Sequence, residues 1–164
     1  MQRLKSSLLL LPLLLIGFSV SGGTRQSSAS ENRLRLYHMH TGERLDIVFR
    51  RDGAYIPEAL AQVDHFLRDH RTGDVHPYDP RLFDLLADLE ASIGRPGAEI
   101  DIICGYRTPW SNGYLRTHTA GVARNSLHMQ AEAIDIRVPG TKTSALRDAA
   151  LALHRGGGRI LRSI

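Results

Sequence analysis

Asp135 stands inside an otherwise apolar run, Ala133-Ile134-Asp135-Ile136-Arg137-Val138. The run reads as a buried strand, and an ionised carboxylate left unpaired inside such a strand would cost several kcal/mol. Any fold of this chain must therefore bring Asp135 a partner. A candidate lies just upstream, because His128 sits seven positions before it in Ser126-Leu127-His128-Met129-Gln130-Ala131-Glu132. A neutral imidazole and a carboxylate are both good zinc ligands, and a catalytic zinc commonly takes three protein ligands and keeps one position for water. The pair reads as two thirds of such a ligand set. From these residues alone, a salt bridge from Asp135 to an arginine, or a surface histidine near a strand-end aspartate, remains open.

The rest of the chain bounds what this pair can serve. Arg3 and Lys5 precede an apolar stretch from Leu8 to Phe18, and Ser19-Val20-Ser21 offers the small residues a signal peptidase reads. Residues 1–21 are thus expected to be an export signal cleaved near Ser21, with Ala29 as a second cleavage candidate. The eleven residues from Leu8 to Phe18 fall short of the roughly 20 that a spanning helix needs, so no stable membrane anchor is expected after cleavage. Residues 22–33 are rich in Ser and Gly and lack apolar periodicity, the composition of a flexible tether. Of the 164 residues, about 140 then remain for a single domain with one modest core. The formal charge of +4 includes Arg3 and Lys5, and the remaining arginines are scattered among acids, so no nucleic-acid-binding stripe forms. The single cysteine, Cys104, cannot form an intrachain disulfide, and its place after Ile102-Ile103 reads as a small buried residue at a strand end.

Periodicity places the elements. Leu34, Leu36 and His38 alternate with polar neighbours, as do Leu45, Ile47 and Phe49, and His40-Thr41-Gly42-Glu43 between them predicts a β-hairpin. Asp52-Gly53 makes the next turn. Pro57 and Glu58 open a helix carrying Leu60, Val63 and Leu67 on one face and ending near Arg71-Thr72-Gly73. Asp79-Pro80 starts a second helix with the stripe Leu82, Leu85, Leu86, Leu89 and Ile93, closed by Gly94 and Pro96. Ile100, Ile102 and Ile103 predict a buried strand that delivers Arg107 to its end. Pro109 to Arg124 is a polar excursion with room for a short helix, and Ser144 is placed to cap a last helix bearing Leu146, Ala150 and Leu153. Without a regular βαβ rhythm, the pattern predicts an α+β domain with a small, largely antiparallel sheet and flanking helices.

Several segments also resemble, in order and with ordinary loops between them, the DUF882 or YcbK-like branch of the M15 zinc peptidases. They are Leu36-Tyr37 with His40-Thr41-Gly42-Glu43, Phe66-Leu67-Arg68-Asp69-His70-Arg71, Gly105-Tyr106-Arg107-Thr108-Pro109, Gly121-Val122-Ala123, and Ser126 to Asp135. The resemblance implies a Hedgehog/DD-peptidase-like domain over residues 34–157. It implies Zn²⁺ held by His128 and Asp135, Arg107 beside the substrate, and peptidoglycan stem peptides cut in the periplasm. A guanidinium at Arg107 could hold a peptide carboxylate or a developing oxyanion. Alternation along an extended run puts Glu132 on the face opposite Asp135, which argues against it as a base. Ser126 has no partner suited to a nucleophile, and His65, His70, His76 and His118 read as solvated or locally bonded. The family more often carries Gly at Ala131, a departure that matters where the backbone needs positive φ.

The resemblance further implies a third zinc ligand after the last helix, in a His-Val-Asp segment that follows a Val-Gly-Tyr-Tyr stretch. Here the chain continues from Gly158 to Ile164 with no histidine after His154. A one-base shift in a permitted codon choice for these residues reads Val-Gly-Tyr-Tyr-Ala-Ala, so residues 158–164 are expected to be an out-of-frame tail. Two functions follow as expectations: a zinc endopeptidase impaired by loss of its third ligand, or an inactive remnant that binds the wall passively. If the site is complete, His154 is the expected substitute.

Overall fold

The computed structural model describes residues 30–155, so the expected signal segment, most of the tether and the tail at 158–164 lie outside the described residues. The expected hairpin is present, with β1 (Glu31–His38) and β2 (Arg44–Arg51) antiparallel. Leu34, Leu36 and His38 turn inward from β1, and Ile47 and Phe49 from β2. The strand begins at Glu31, ahead of the expected start at Leu34. Asp52 and Gly53 both have positive φ, 49° and 81°, the two-residue turn that suits the twist of a hairpin. It adds a short third strand, β3 (Ala54–Tyr55), at the sheet edge.

β4 (Glu99–Cys104) lies beside β1, and β5 (Asp135–Arg137) beside β4, in the order β3-β2-β1-β4-β5. Three pairings are antiparallel, as expected for most of the sheet, but β1 and β4 run parallel, with Leu36 opposite Ile100 and His38 opposite Ile102. A parallel neighbour requires a crossover, and α1 (Pro57–Phe66) and α2 (Arg81–Ser92) supply it. The C-terminal ends of β1 and β4 therefore share one edge of the domain. The site lies at the β4 end.

Two expectations are corrected here by the sheet. Ile103 is 40% exposed, because alternation sends Ile100 and Ile102 to the core and Ile103 outward. The last strand spans only Asp135–Arg137 and is half-buried, since β5 forms an edge of the sheet.

α1 stops at Phe66, short of the expected end near residues 71–73. Tertiary partners end it: the Leu67 carbonyl accepts the Tyr106 N–H at 2.7 Å, and the buried Asp69 carboxylate accepts the Thr108 N–H at 2.8 Å. α2 begins one residue later than expected, with Pro80 at the cap position, and the Asp79 carboxylate just before it accepts the Arg81 N–H. Its buried face is Phe83, Leu86, Leu89 and Glu90, a stripe turned from the one expected. Burial pushes the Glu90 carboxyl up to about 7 against one hydrogen bond from the Gly97 N–H. α3 (Pro109–His118) fills part of the polar excursion, and α4 (Thr143–Ala152) follows β5. Ser144 does not cap α4; the cap position is Lys142, with no side-chain hydrogen bond, and Ser144 lies in the first turn. Leu34, Leu36, Phe49, Val63, Leu67, Phe83, Ile100 and Ile102 form the centre of one core between sheet and helices.

Candidate metal centre

The site is built where β4 leaves the sheet. A β-carbon at Gly105 would stand 2.4 Å from the Leu67 carbonyl oxygen, so only glycine lets the two backbones approach. Tyr106 then bonds Leu67, and the Arg107 N–H donates to the His128 carbonyl at 3.1 Å. Thr108 fastens the next step: its N–H and its hydroxyl both donate to Asp69 Oδ2 at 2.8 Å, and the hydroxyl oxygen accepts the Ser111 N–H to cap α3. Burial pushes the Asp69 carboxyl up, but the donors around it, Thr108 and Arg71 among them, hold it below the usual carboxylate range. Two segments distant in sequence are thereby locked to one loop.

His128 lies in a single 3₁₀ turn, Leu127–Gln130, and is 8% exposed. Its Nδ1 faces the Gly105 carbonyl at 2.9 Å, which places the ring proton there and leaves Nε2 for another partner. That partner is Asp135, whose Oδ2 is 3.3 Å from Nε2. The open alternative of an arginine salt bridge to Asp135 is absent among the described residues, where Asp135 pairs with His128.

A third donor joins them. Cys104 Sγ, a His128 ring nitrogen and an Asp135 oxygen all lie within 4.8 Å of one another, the only such group among the described residues. Cys104 reaches it through an irregularity in the β4–β5 ladder. Regular antiparallel pairing from Ile102 opposite Ile136 would set Ile103 opposite Asp135; a register shift between Ile102 and Cys104 instead sets Cys104 there. Extra residues of this kind re-aim side chains at strand ends. The expectation of an inert, buried Cys104 is corrected accordingly: it is half-buried and faces the site.

The electrostatics follow from this packing. Burial pushes the Cys104 thiol up, but the His128 ring and the Arg107 guanidinium outweigh it and hold the thiol below its usual range. Burial lowers His128, yet Asp135 and Cys104 push its imidazole up to about 10. Nitrogen, sulfur and carboxylate donors suit zinc, and donors on a tetrahedron about 2.0–2.3 Å from zinc stand about 3.5 Å apart. The donor set fits a zinc ion with small side-chain adjustments.

Arg107 flanks the group. Its Nη2 donates to Cys104 Sγ at 3.1 Å and its Nη1 to Asn112 Oδ1 at 3.3 Å, while Nε has no partner among the described residues. Asn112, 2% exposed, also donates to the carbonyls of Ala123 and Arg124, tying α3 to the loop before His128. In the sequence Asn112 is one of several polar residues of the excursion, and its place one turn after Thr108-Pro109 is the only signal that sets it apart. On the outer face of α3, Trp110 is 64% exposed and stacks on Tyr114, which stacks in turn on His118.

Glu132 is exposed and outside the donor group, and Ser126 makes no side-chain cap. His154, the expected substitute ligand, is an exposed residue just past α4 and is not in the group, where Cys104 stands instead. His70 is half-buried and stacked on His40 at 4.1 Å, with burial, then His40, pushing it down to about 4. Ala131 ends the 3₁₀ turn at φ 53°, so the position where the family favours glycine does need positive φ. A left-handed conformation costs a residue with a β-carbon about 1–2 kcal/mol. Ala131→Gly relieves this, less the chain entropy of glycine and the contact of one buried methyl group. The variant is expected to gain about 0.5 kcal/mol in urea unfolding; a clear loss would mean that the methyl packing outweighs the strain.

Comparison with known proteins fits this geometry. A peptidase M15 family model described as peptidoglycan L,D-endopeptidase MepK matches residues 26–160. The chain is 37% identical over 124 residues to the probable peptidoglycan L,D-endopeptidase MepK of Haemophilus influenzae, covering 76% of this chain and 67% of that protein. It is 38% identical over 124 residues to the peptidoglycan L,D-endopeptidase MepK of Escherichia coli K12, covering 76% and 68%. No solved structure gives a significant match. The matched span takes in the whole sheet and every loop that carries Arg107, His128 and Asp135, and on that ground the chain belongs to the MepK family of M15 peptidases.

Proposed function

We propose that this chain is an exported zinc metallopeptidase that hydrolyses peptide cross-links of peptidoglycan. The observation that carries the reading is the meeting of His128 Nε2 and Asp135 Oδ2 at 3.3 Å, in a chain whose relatives are named peptidoglycan endopeptidases. Zinc held by His128 and Asp135 would supply a Lewis acid and a water acidic enough to attack a peptide carbonyl near neutral pH.

The chain's own residues do the remaining work. The Gly105 carbonyl holds the His128 ring in one orientation and one tautomer, the usual task of an outer partner in a metal site. Arg107 is held on one side by Asn112 and has no carboxylate neighbour within ion-pair distance among the described residues. A guanidinium without a carboxylate partner is suited to hold a stem-peptide carboxylate or the oxyanion of the attacked carbonyl. Thr108 and Asp69 fix the loop that presents it. Export is supported by Arg3, Lys5 and the apolar stretch to Phe18. Among the described residues, no helix is long and apolar enough to cross a membrane.

The test is digestion of purified murein by the full chain isolated from a cell envelope. Release of cross-linked stem peptides should stop with a strong chelator and return with Zn²⁺, and mass spectrometry should find an N-terminus near Gly22. Murein binding without release would favour the passive wall-binding alternative. Release that survives exhaustive chelation would overturn the metal reading, and an intact Met1 would overturn export.

A further inference from the structure

We infer that Cys104 is a thiolate ligand to the metal, so that this chain holds zinc through Cys104 Sγ, His128 Nε2 and Asp135. The inference rests on the metal reading above and adds to it a third donor from the described residues.

Three observations carry it. First, the sulfur lies within 4.8 Å of the other two donor atoms, and the register shift in β4–β5 is what puts Cys104 rather than Ile103 opposite Asp135. Second, the arrangement is unsuited to a thiol nucleophile. A nucleophile–imidazole–carboxylate relay needs the two ring nitrogens to face the two partners separately. Here Nδ1 is spent on the Gly105 carbonyl and Asp135 meets Nε2, so neither ring nitrogen is left to serve a thiol as its base. Third, the Arg107 Nη2 that donates to Sγ at 3.1 Å takes the position of an outer hydrogen bond to a bound thiolate.

The charge count agrees. A thiolate and a carboxylate together neutralise Zn²⁺, which lowers the cost of holding the ion among half-buried side chains, and thiolate is among the ligands zinc favours most. On binding, the Sγ–H and the Nε2–H protons pass to solvent as the two metal bonds form. The three ligands come from the end of β4, the 3₁₀ turn and the start of β5.

Cobalt(II) replaces zinc as the probe, on the full chain. An intense near-ultraviolet sulfur-to-cobalt charge-transfer band is expected, and Zn²⁺ should protect Cys104 from alkylation; because the chain has a single cysteine, the alkylated mass reports that residue alone. Cys104→Ala should abolish the band and weaken zinc binding by at least the roughly 10–100-fold that loss of an outer partner costs. Cobalt bound with visible absorption but no charge-transfer band, and a thiol alkylated equally with and without zinc, would overturn the inference and leave the metal reading standing. Failure to retain cobalt or zinc at all would remove both. The unmutated chain decides between these outcomes even if the variant does not fold.

Discussion

His128→Ala and Asp135→Ala are each expected to remove tight zinc binding and, with it, murein cleavage. Zinc sites with four protein ligands bind with apparent free energies of about 10–16 kcal/mol, so a single ligand accounts for roughly 3–4 kcal/mol, or about 10²–10³ in affinity. The loss of cleavage should be larger than the loss of affinity, because what remains is also mispositioned. The two variants differ without metal. Removing Asp135 takes away the group that meets His128 Nε2 at 3.3 Å, whereas removing His128 also releases the Gly105 carbonyl. Glu132→Gln is the matched control: Glu132 is exposed and outside the donor group, and its variant should bind zinc and cleave murein like the parent. Isothermal titration with zinc and peptide release from murein measure both quantities. An Asp135→Ala protein with parental affinity and cleavage would remove Asp135 from the site.

Gly105→Ala should disable the site by a different route, from the backbone. The added β-carbon would meet the Leu67 carbonyl oxygen at 2.4 Å, with the carbonyl carbon and Cα of Leu67 at 3.1 Å, so no side-chain rotation can relieve the clash. The strand end must move away from Leu67. That movement breaks the Tyr106–Leu67 hydrogen bond and shifts the carbonyl that orients His128. Overpacking costs typically 1–3 kcal/mol and a lost hydrogen bond about 1 more, so unfolding in urea should show a loss of about 2–4 kcal/mol. Zinc affinity should fall together with stability. Gly113→Ala provides the contrast, since a β-carbon on that α3 residue meets nothing within 4 Å. In a helix interior, alanine should stabilise by about 0.5–1 kcal/mol. A Gly105→Ala protein as stable as the parent, with unchanged zinc affinity, would show that the Gly105–Leu67 approach does not shape the site.

Much of the fold was legible because side-chain period reports which residues of one element face the same way. The hairpin was legible from the alternation of Leu34 and Leu36 with that of Ile47 and Phe49, and the start of α2 was legible to within a residue from Asp79-Pro80. The end of α1 was not, because Leu67 and Asp69 leave the helix for partners about 40 residues away in sequence, Tyr106 and Thr108. Local propensity carries no record of those bonds.

The site divides along the same line. The sequence by itself determined that Asp135 needs a partner, that His128 is close enough along the chain to be one, and that Arg107 follows shortly after a strand. Each statement concerns a single segment and the cost of burying its charge. Only the tertiary structure decided that Cys104 belongs with them, that Asn112 steadies Arg107, and that Ala131 occupies a left-handed turn. The physical reason lies in the register between β4 and β5. Within a strand the facing of side chains repeats every two residues, but a one-residue shift between strands changes which side chain stands opposite Asp135, and that shift is set by how two distant segments pack.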